Sequence, residues 1–291
     1  MRSAVREIGH VGWAASLLKQ QWPDGHWSTP GTTAAEMYRP KFEATFWPAI
    51  VLADLGMTRA DPRIRRTAEL LLDRCRPNGN GPGQPLDYRP SRGGEICVTG
   101  MLVRALIRFG YLDHADVQRS IAWIVRTQKP DGGWHCIPSR TGTLDDWKGL
   151  AALAEIPPEQ RDGSVRRTIE RGAEFYLGRH LMDEGGRRYP PWFRIHYPDF
   201  YYYDLLVGLR ILTRLGYGSD RRLGPAVRWL RRKRRPDGTW ALDAVHPDFD
   251  PALTEYRYDE ILHPLILETV GQPSRWATVE ALNVLARLDA S

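Results

Sequence analysis

The sequence predicts an all-α protein, a double ring of about five helical hairpins with inner and outer helices. Three observations carry this: a loop marker repeated at a regular interval, helical segments on both sides of each marker, and alternation between amphipathic and more apolar helices. The marker is Pro-Asp-Gly closely followed by Trp, in Pro23-Asp24-Gly25-His26-Trp27, Pro130-Asp131-Gly132-Gly133-Trp134 and Pro236-Asp237-Gly238-Thr239-Trp240. These copies lie 107 and 106 residues apart. Degenerate copies stand at half that interval: Pro77-Asn78-Gly79, 54 residues after the first, and Asp183-Glu184-Gly185, 53 after the second. Five markers about 53 residues apart describe an array of one supersecondary unit. Pro and Gly stop a helix, Asp or Asn closes the turn through its own backbone, and Trp packs the exit back onto the body.

Each unit reads as helix, marker loop, helix. The first helices fall near residues 4–20, 62–76, 115–128, 164–182 and 220–234, with apolar residues at helical spacing such as Val117, Ile121, Ile124 and Val125. The second helices fall near 42–55, 95–109, 144–154, 202–215 and 275–288 and are the more apolar set, as in Val98, Met101, Leu102, Ala105 and Leu106. Leu55-Gly56, Phe109-Gly110 and Leu215-Gly216 supply left-handed stops. An apolar helix paired with an amphipathic one closes into a ring with the apolar helices inside. The repeats fall near 1–57, 58–111, 112–156, 157–217 and 218–291, a single domain of 1–291. The Pro-, Gly- and Tyr-rich segments 77–94, 183–200 and 241–273 exceed mere connections and are expected to cover one end of the ring.

Composition excludes several classes. No run of 18 uncharged apolar residues exists, so no transmembrane segment is expected. The N-terminal residues lack an apolar stretch of signal-peptide length, which predicts a cytoplasmic protein, and three cysteines without framework spacing fit a reducing compartment. The net charge of +6 comes mostly from arginines such as Arg63, Arg65, Arg66, Arg231, Arg232, Arg234 and Arg235. Without interleaved aromatics or a nucleic-acid module these read as a solvated face, so no nucleic-acid partner is expected, while peripheral membrane contact stays open. No phosphate loop or nucleotide fingerprint is present.

The marker loops feed the N-termini of the inner helices, so those N-termini converge on one rim around a hollow. The rim then collects Glu43, Glu95, Cys97, His135, Cys136, Asp145, Asp146, His196, Tyr202, Tyr203, Asp204 and Trp276. A hollow apolar below and polar at its mouth is the default ligand site, with Phe46, Trp47, Trp147, Tyr202, Tyr203 and Trp276 as candidate ligand-binding residues.

The repeated Q-x-P-D-G-x-W pattern resembles the prenyltransferase and squalene oxidase repeat of terpenoid cyclases and protein prenyltransferase β-subunits. Glu95–Tyr111, Gln128–Cys136, Ala154–Gln160 and Tyr201–Leu206 look similar to small stand-alone prokaryotic members of that group. The resemblance covers essentially the whole chain. It implies an α/α toroid, and an isoprenoid-like apolar ligand acted on by a terpenoid cyclase or prenyltransferase-type enzyme.

Two constellations carry candidate chemistry. Thr143-Leu144-Asp145-Asp146 resembles the D-x-D-D of class II terpenoid cyclases, whose middle Asp protonates an alkene or epoxide and needs an apolar pocket to do so. Asp145 is therefore the first candidate acid, with Asp146 beside it and Asp204 as a second candidate. Thr143 replaces the motif's first Asp, and on that replacement the expected reading is a helix start with Thr143 at the N-cap and the Asp145 carboxylate in the first turn, bonded to the helix's own N–H groups and facing solvent. Glu95-Ile96-Cys97 resembles the Asp-x-Cys of zinc-dependent prenyltransferases, which makes Cys97, His135 and Cys136 candidate ligands for zinc. Buried cysteines acting as small hydrophobes are the other reading. Tyr201-Tyr202-Tyr203 either offers aromatic faces to a carbocation or packs the wall. Three functions follow as expectations: an isoprenoid cyclase or prenyl-transfer enzyme, a zinc-dependent transferase with ligands near Cys97, and a non-catalytic toroid that binds another protein.

Overall fold

The computed structural model describes residues 8–28, 30–77, 83–89, 93–245 and 265–290. Among these the chain is all-α. It has eleven α-helices: α1 (Gly12–Leu18), α2 (Ala34–Tyr38), α3 (Phe46–Asp54), α4 (Pro62–Arg74), α5 (Ile96–Phe109), α6 (Ala115–Arg126), α7 (Lys148–Ala154), α8 (Gly163–Gly178), α9 (Leu205–Arg214), α10 (Gly224–Arg232) and α11 (Arg275–Asp289). The only strands among the described residues are the two-residue β1 (Trp240–Ala241) and β2 (Pro273–Ser274), paired antiparallel. No helix among them is long and apolar enough to cross a membrane.

The chain divides into two compact units, one of described residues 8–127 and 265, the other of 128–245 and 266–290. In the first unit α3 packs beside α5, α4 lies against both, and α6 lies against α5. In the second, α9 packs between α7 and α11, with α8 against α7 and α10 against α9. Burial sorts these helices as their residues demand. All of α7, α5 except Arg108, and α9 except Arg214 are buried. By contrast α4 buries only Ile64, Thr67, Ala68, Leu71 and Leu72, and α10 only Ala226, Trp229 and Leu230. An apolar helix can be covered on every side, whereas an amphipathic one must leave its charged face in water.

Boundaries follow local chemistry. Asp61 accepts the Arg63 N–H just ahead of Pro62, Asp162 accepts that of Val165, and Ser274 accepts that of Ala277. The ten helices expected from periodicity all have a counterpart, most with tighter ends. The first begins at Gly12 after a 3-10 turn at Ile8–His10, and residues 1–7 lie outside the described residues. Helix α2 and the β pair are additional to the expected set. Residues 78–82 and 90–92 of the expected 77–94 cover, with the degenerate marker from residue 78 on, and residues 246–264 of the 241–273 cover also lie outside the described residues.

The three full markers fold alike. In each, the N–H two residues after Asp bonds that carboxylate: His26 to Asp24, Gly133 to Asp131 and Thr239 to Asp237. Gly25, Gly132 and Gly238 have φ of 104°, 93° and 84°, the left-handed region that favours glycine. The residue before Pro donates to the carbonyl just before Trp, as Trp22 to His26, Lys129 to Gly133 and Arg235 to Thr239. Gln21 and Gln128 each give an amide N–H to their own marker glycine's carbonyl. Each also reaches a backbone carbonyl on the following outer helix, at Arg63 of α4 and Thr168 of α8. In the third copy Arg234 stands where glutamine would, and its Nε bonds the Gly238 carbonyl at 3.3 Å. Trp27, Trp134 and Trp240 are all buried, and the indoles of Trp27 and Trp240 each donate to the carbonyl ten residues back, at Leu17 and Leu230.

Candidate functional site

In the second unit Thr143 opens a 3-10 turn, Leu144–Asp146, that leads into α7. The Thr143 hydroxyl accepts the Asp145 N–H at 3.3 Å and supplies the cap itself. Thr143 is the N-cap as expected, whereas the expected bonding of the Asp145 carboxylate to the helix's own N–H groups is corrected. With the free N–H already served by a shorter side chain, Asp145 turns instead to Trp192, whose indole N–H donates to Oδ1 at 2.9 Å. Oδ2 makes no hydrogen bond among the described residues. Burial holds this carboxyl above the usual range, against the lowering effects of the Trp192 hydrogen bond and of the Lys148 and Arg187 charges.

The wall around Asp145 is aromatic. Trp192 meets Tyr203 edge-on with ring centroids 5.9 Å apart, and Tyr203 meets Tyr176 at the same distance. Both tyrosines are fully buried, and burial pushes their hydroxyls well above the ordinary tyrosine range. They are spent as donors: Tyr203 to the Leu181 carbonyl at 2.8 Å and Tyr176 to that of Leu144 at 3.1 Å. The Trp147 indole N–H bonds the Tyr202 carbonyl at 3.0 Å. Lys148, only 2% exposed, donates to the carbonyls of Asp145 and Tyr201 at 2.5 and 2.7 Å. Its ammonium lies 5.1 Å from the centroid of the Trp147 ring and 5.8 Å from that of Tyr201. Glu184, in the degenerate marker, accepts the Leu144 N–H and ties that loop to the turn.

The other candidates have different tasks. Asp146 accepts both the backbone N–H (2.8 Å) and the thiol (3.0 Å) of Cys136, and His135 Nδ1 stands 3.7 Å from it. Asp204 gives one oxygen to the Val207 N–H as the α9 cap and the other to the His196 N–H, both at 2.9 Å. Neither aspartate is placed to give up a proton to a ligand. Trp276 stacks on Tyr197 at 4.2 Å beneath the Arg210 guanidinium. Tyr202 lies against the His196 ring at 4.7 Å.

In the first unit Phe46 and Trp47 are buried in a cluster with Tyr38 and Phe42, and the Trp47 indole bonds the Tyr38 carbonyl. Cys97 is buried near the start of α5, and Glu95 pairs with Arg89. Among the described residues no group of three or more His, Cys, Asp or Glu is arranged to hold a metal ion, Cys97, His135 and Cys136 included. In the second unit the Cys136 thiol and the His135 ring are both turned to Asp146. Two open clefts in the first unit, of about 580 and 610 Å³, are lined by residues such as Met57 and Asp61 and by Arg59 and Tyr111, and take in none of the candidates.

Three residues escape the sequence reading. Trp192 sits in an aperiodic loop and carries no signal of its own. Lys148 has one, a lone lysine at the head of the apolar run Gly149-Leu-Ala-Ala-Leu-Ala154. Asp87 accepts the N–H groups of Arg89 and Glu95, each at 2.8 Å, and burial raises its carboxyl to about 6.

No family model matches the chain, and no curated protein does. Among solved structures it is similar to ent-copalyl diphosphate synthase from Streptomyces platensis, at 24% identity and a TM-score of 0.38 over 62% of this chain, and it spans only 33% of that chain. It is similar to a protein from Actinoplanes, at 16% identity and a TM-score of 0.45, covering 98% of this chain and 87% of that one. It is also similar to the type II terpene cyclase MstE from Scytonema, at 15% identity and a TM-score of 0.35, covering 99% and 97%.

Proposed function

We propose that the second unit binds an apolar, isoprenoid-type molecule and that Asp145 protonates an alkene of it to start a cyclisation. One observation carries this reading. Asp145 is a half-buried carboxyl raised by burial, with one oxygen fixed by the Trp192 indole and the other without a hydrogen bond among the described residues. A carboxylic acid kept in an apolar wall retains its proton more readily and can deliver it from the free oxygen. The proton leaves Oδ2 as the alkene π pair forms the new C–H bond, which makes the neighbouring carbon the cation. Further π pairs then close carbon–carbon bonds, and loss of a proton to water ends the sequence. Solvent re-protonates Asp145. The rings of Trp192 and Tyr203 supply electron-rich faces for the developing charge. The faces of Trp147 and Tyr201 already serve Lys148.

The zinc-transferase reading has no ligand group behind it among the described residues. The test uses all-trans prenyl alcohols and diphosphates of increasing chain length, incubated in D₂O and analysed by mass spectrometry. The wild type is expected to release a cyclic product carrying one deuterium. Asp145→Asn, which keeps an oxygen for the Trp192 N–H, is expected to release none while melting like the wild type. Equal turnover by the variant, or no consumption of any chain by the wild type, overturns the proposal.

A further inference from the structure

The exposed face of α10 carries a stripe of arginine that no acidic residue among the described residues neutralises. Arg228, Arg231 and Arg232 lie within about 100° of the helix circumference, given 3.6 residues per turn, opposite the buried Ala226, Trp229 and Leu230. Arg221, seven residues before Arg228, and Arg235, three after Arg232, extend the exposed stripe at both ends. Arg221, Arg228, Arg231 and Arg232 make no ion pair among the described residues, and Arg235 reaches only Asp237, at 3.8 Å. The other amphipathic helices carry acids among their arginines and make ion pairs at or beside them: Arg63 with Asp61 and Arg74 with Asp73 at α4, Arg119 with Asp116 at α6, and Glu174 of α8 with Arg222. Helix α10 has no acidic residue at all. Like charges three and four residues apart repel, so the stripe works against its own helix unless an anion faces it.

We infer that this stripe is a docking surface for an anionic lipid bilayer. Guanidinium groups grip phosphate through paired N–H donors, and they are less tightly hydrated than ammonium groups. The apolar side of α10 is already used inside the unit, so the contact is electrostatic adsorption to phosphate headgroups rather than insertion. A nucleic acid is disfavoured because no exposed aromatic or amide group stands in the stripe to stack on or read a base. The inference stands on the charge pattern alone and is independent of the cyclase reading. A protein that drew an apolar molecule from a membrane would nevertheless gain from residing there.

The experiment is co-sedimentation of the full chain with vesicles of phosphatidylcholine alone or mixed with phosphatidylglycerol, with no isoprenoid present. The wild type is expected to bind only the anionic vesicles, and to release them as salt shortens the screening length. The triple variant Arg228→Gln, Arg231→Gln, Arg232→Gln is expected to bind them roughly 100-fold more weakly, at about 1 kcal/mol for each basic residue near the surface. All three side chains are exposed, and circular dichroism checks that the fold survives. A control that removes three exposed cations of the first unit (Lys19→Gln, Arg65→Gln, Arg66→Gln) is expected to bind nearly as the wild type does. Equal loss in both triple variants would assign any binding to net charge and overturn the inference. So would no vesicle binding at all, or binding to duplex RNA that the stripe variant loses while vesicles leave the wild type in solution.

Discussion

Gly132 and Gly216 have nearly the same backbone, φ 93° and 94°, in opposite surroundings. A Cβ on Gly216, at the end of α9, meets nothing within 4 Å. A Cβ on Gly132 would stand 2.3 Å from the Arg171 carbonyl oxygen and 3.0 Å from its carbon, both backbone atoms of α8. Gly216→Ala therefore isolates the cost of a left-handed alanine, about 1–2 kcal/mol, part of which is returned by a stiffer unfolded chain. Gly132→Ala adds an overlap that only a shift of the loop or of α8 can relieve, about 1–3 kcal/mol. That shift also strains the Gly132–Lys129 and Gln128–Gly132 hydrogen bonds, at about 0.5–1.5 kcal/mol each. The expectation is a loss near 1 kcal/mol for Gly216→Ala and about 3–5 kcal/mol for Gly132→Ala. Urea unfolding followed by tryptophan fluorescence, with the slope unchanged, reads the difference as a shift in midpoint. Losses equal within about 0.5 kcal/mol would refute the idea that marker glycines are there to let loop and helix backbones touch.

Two pH-dependent predictions follow. Asp87 is 1% exposed and its carboxyl is raised to about 6, chiefly by burial, so its contribution to stability is full below about pH 4 and lost as pH rises through about 6. The span is on the order of 3 kcal/mol, and Asp87→Asn should flatten it in unfolding free energies measured from about pH 4 to 7. Trp192→Phe removes the donor that favours ionised Asp145, so the Asp145 carboxyl should rise further from its already raised position. The variant should then lose about 1.5–3 kcal/mol at a pH where Asp145 is ionised and clearly less where it is protonated. A loss independent of pH between thermal melts at the two conditions would show that the indole only packs.

The helices are legible because local signals recur along the chain: an apolar or amphipathic period in each, five markers of which three are full, and stop glycines after three of the apolar helices. Helix α2 was legible too and was passed over. Thr33 and Glu36 form a reciprocal capping box, a spacing visible in the sequence, but the segment is only five residues long. The site was half legible. Thr143 and Asp145 could be found by motif, yet where the Asp145 carboxylate turns rests on Trp192, 47 residues away in a 3-10 turn of an aperiodic stretch. Asp204 looked like an acid in sequence, and two backbone N–H groups consume it in space. A single chain shows which side chains can donate or accept; it does not show which partner arrives first.

The marker glutamines bear on how neighbouring parts of such an array are joined. Gln21 and Gln128 each use one amide to hold their own turn and the backbone of the next outer helix. A side chain that serves two neighbours at once tolerates few substitutes, since the replacement must reach both. Arg234 meets a single demand, since its Nε serves its own turn, and a guanidinium suffices for that. Glutamine at this position thus rivets a turn to a neighbouring helix, whereas arginine there clasps the turn to itself.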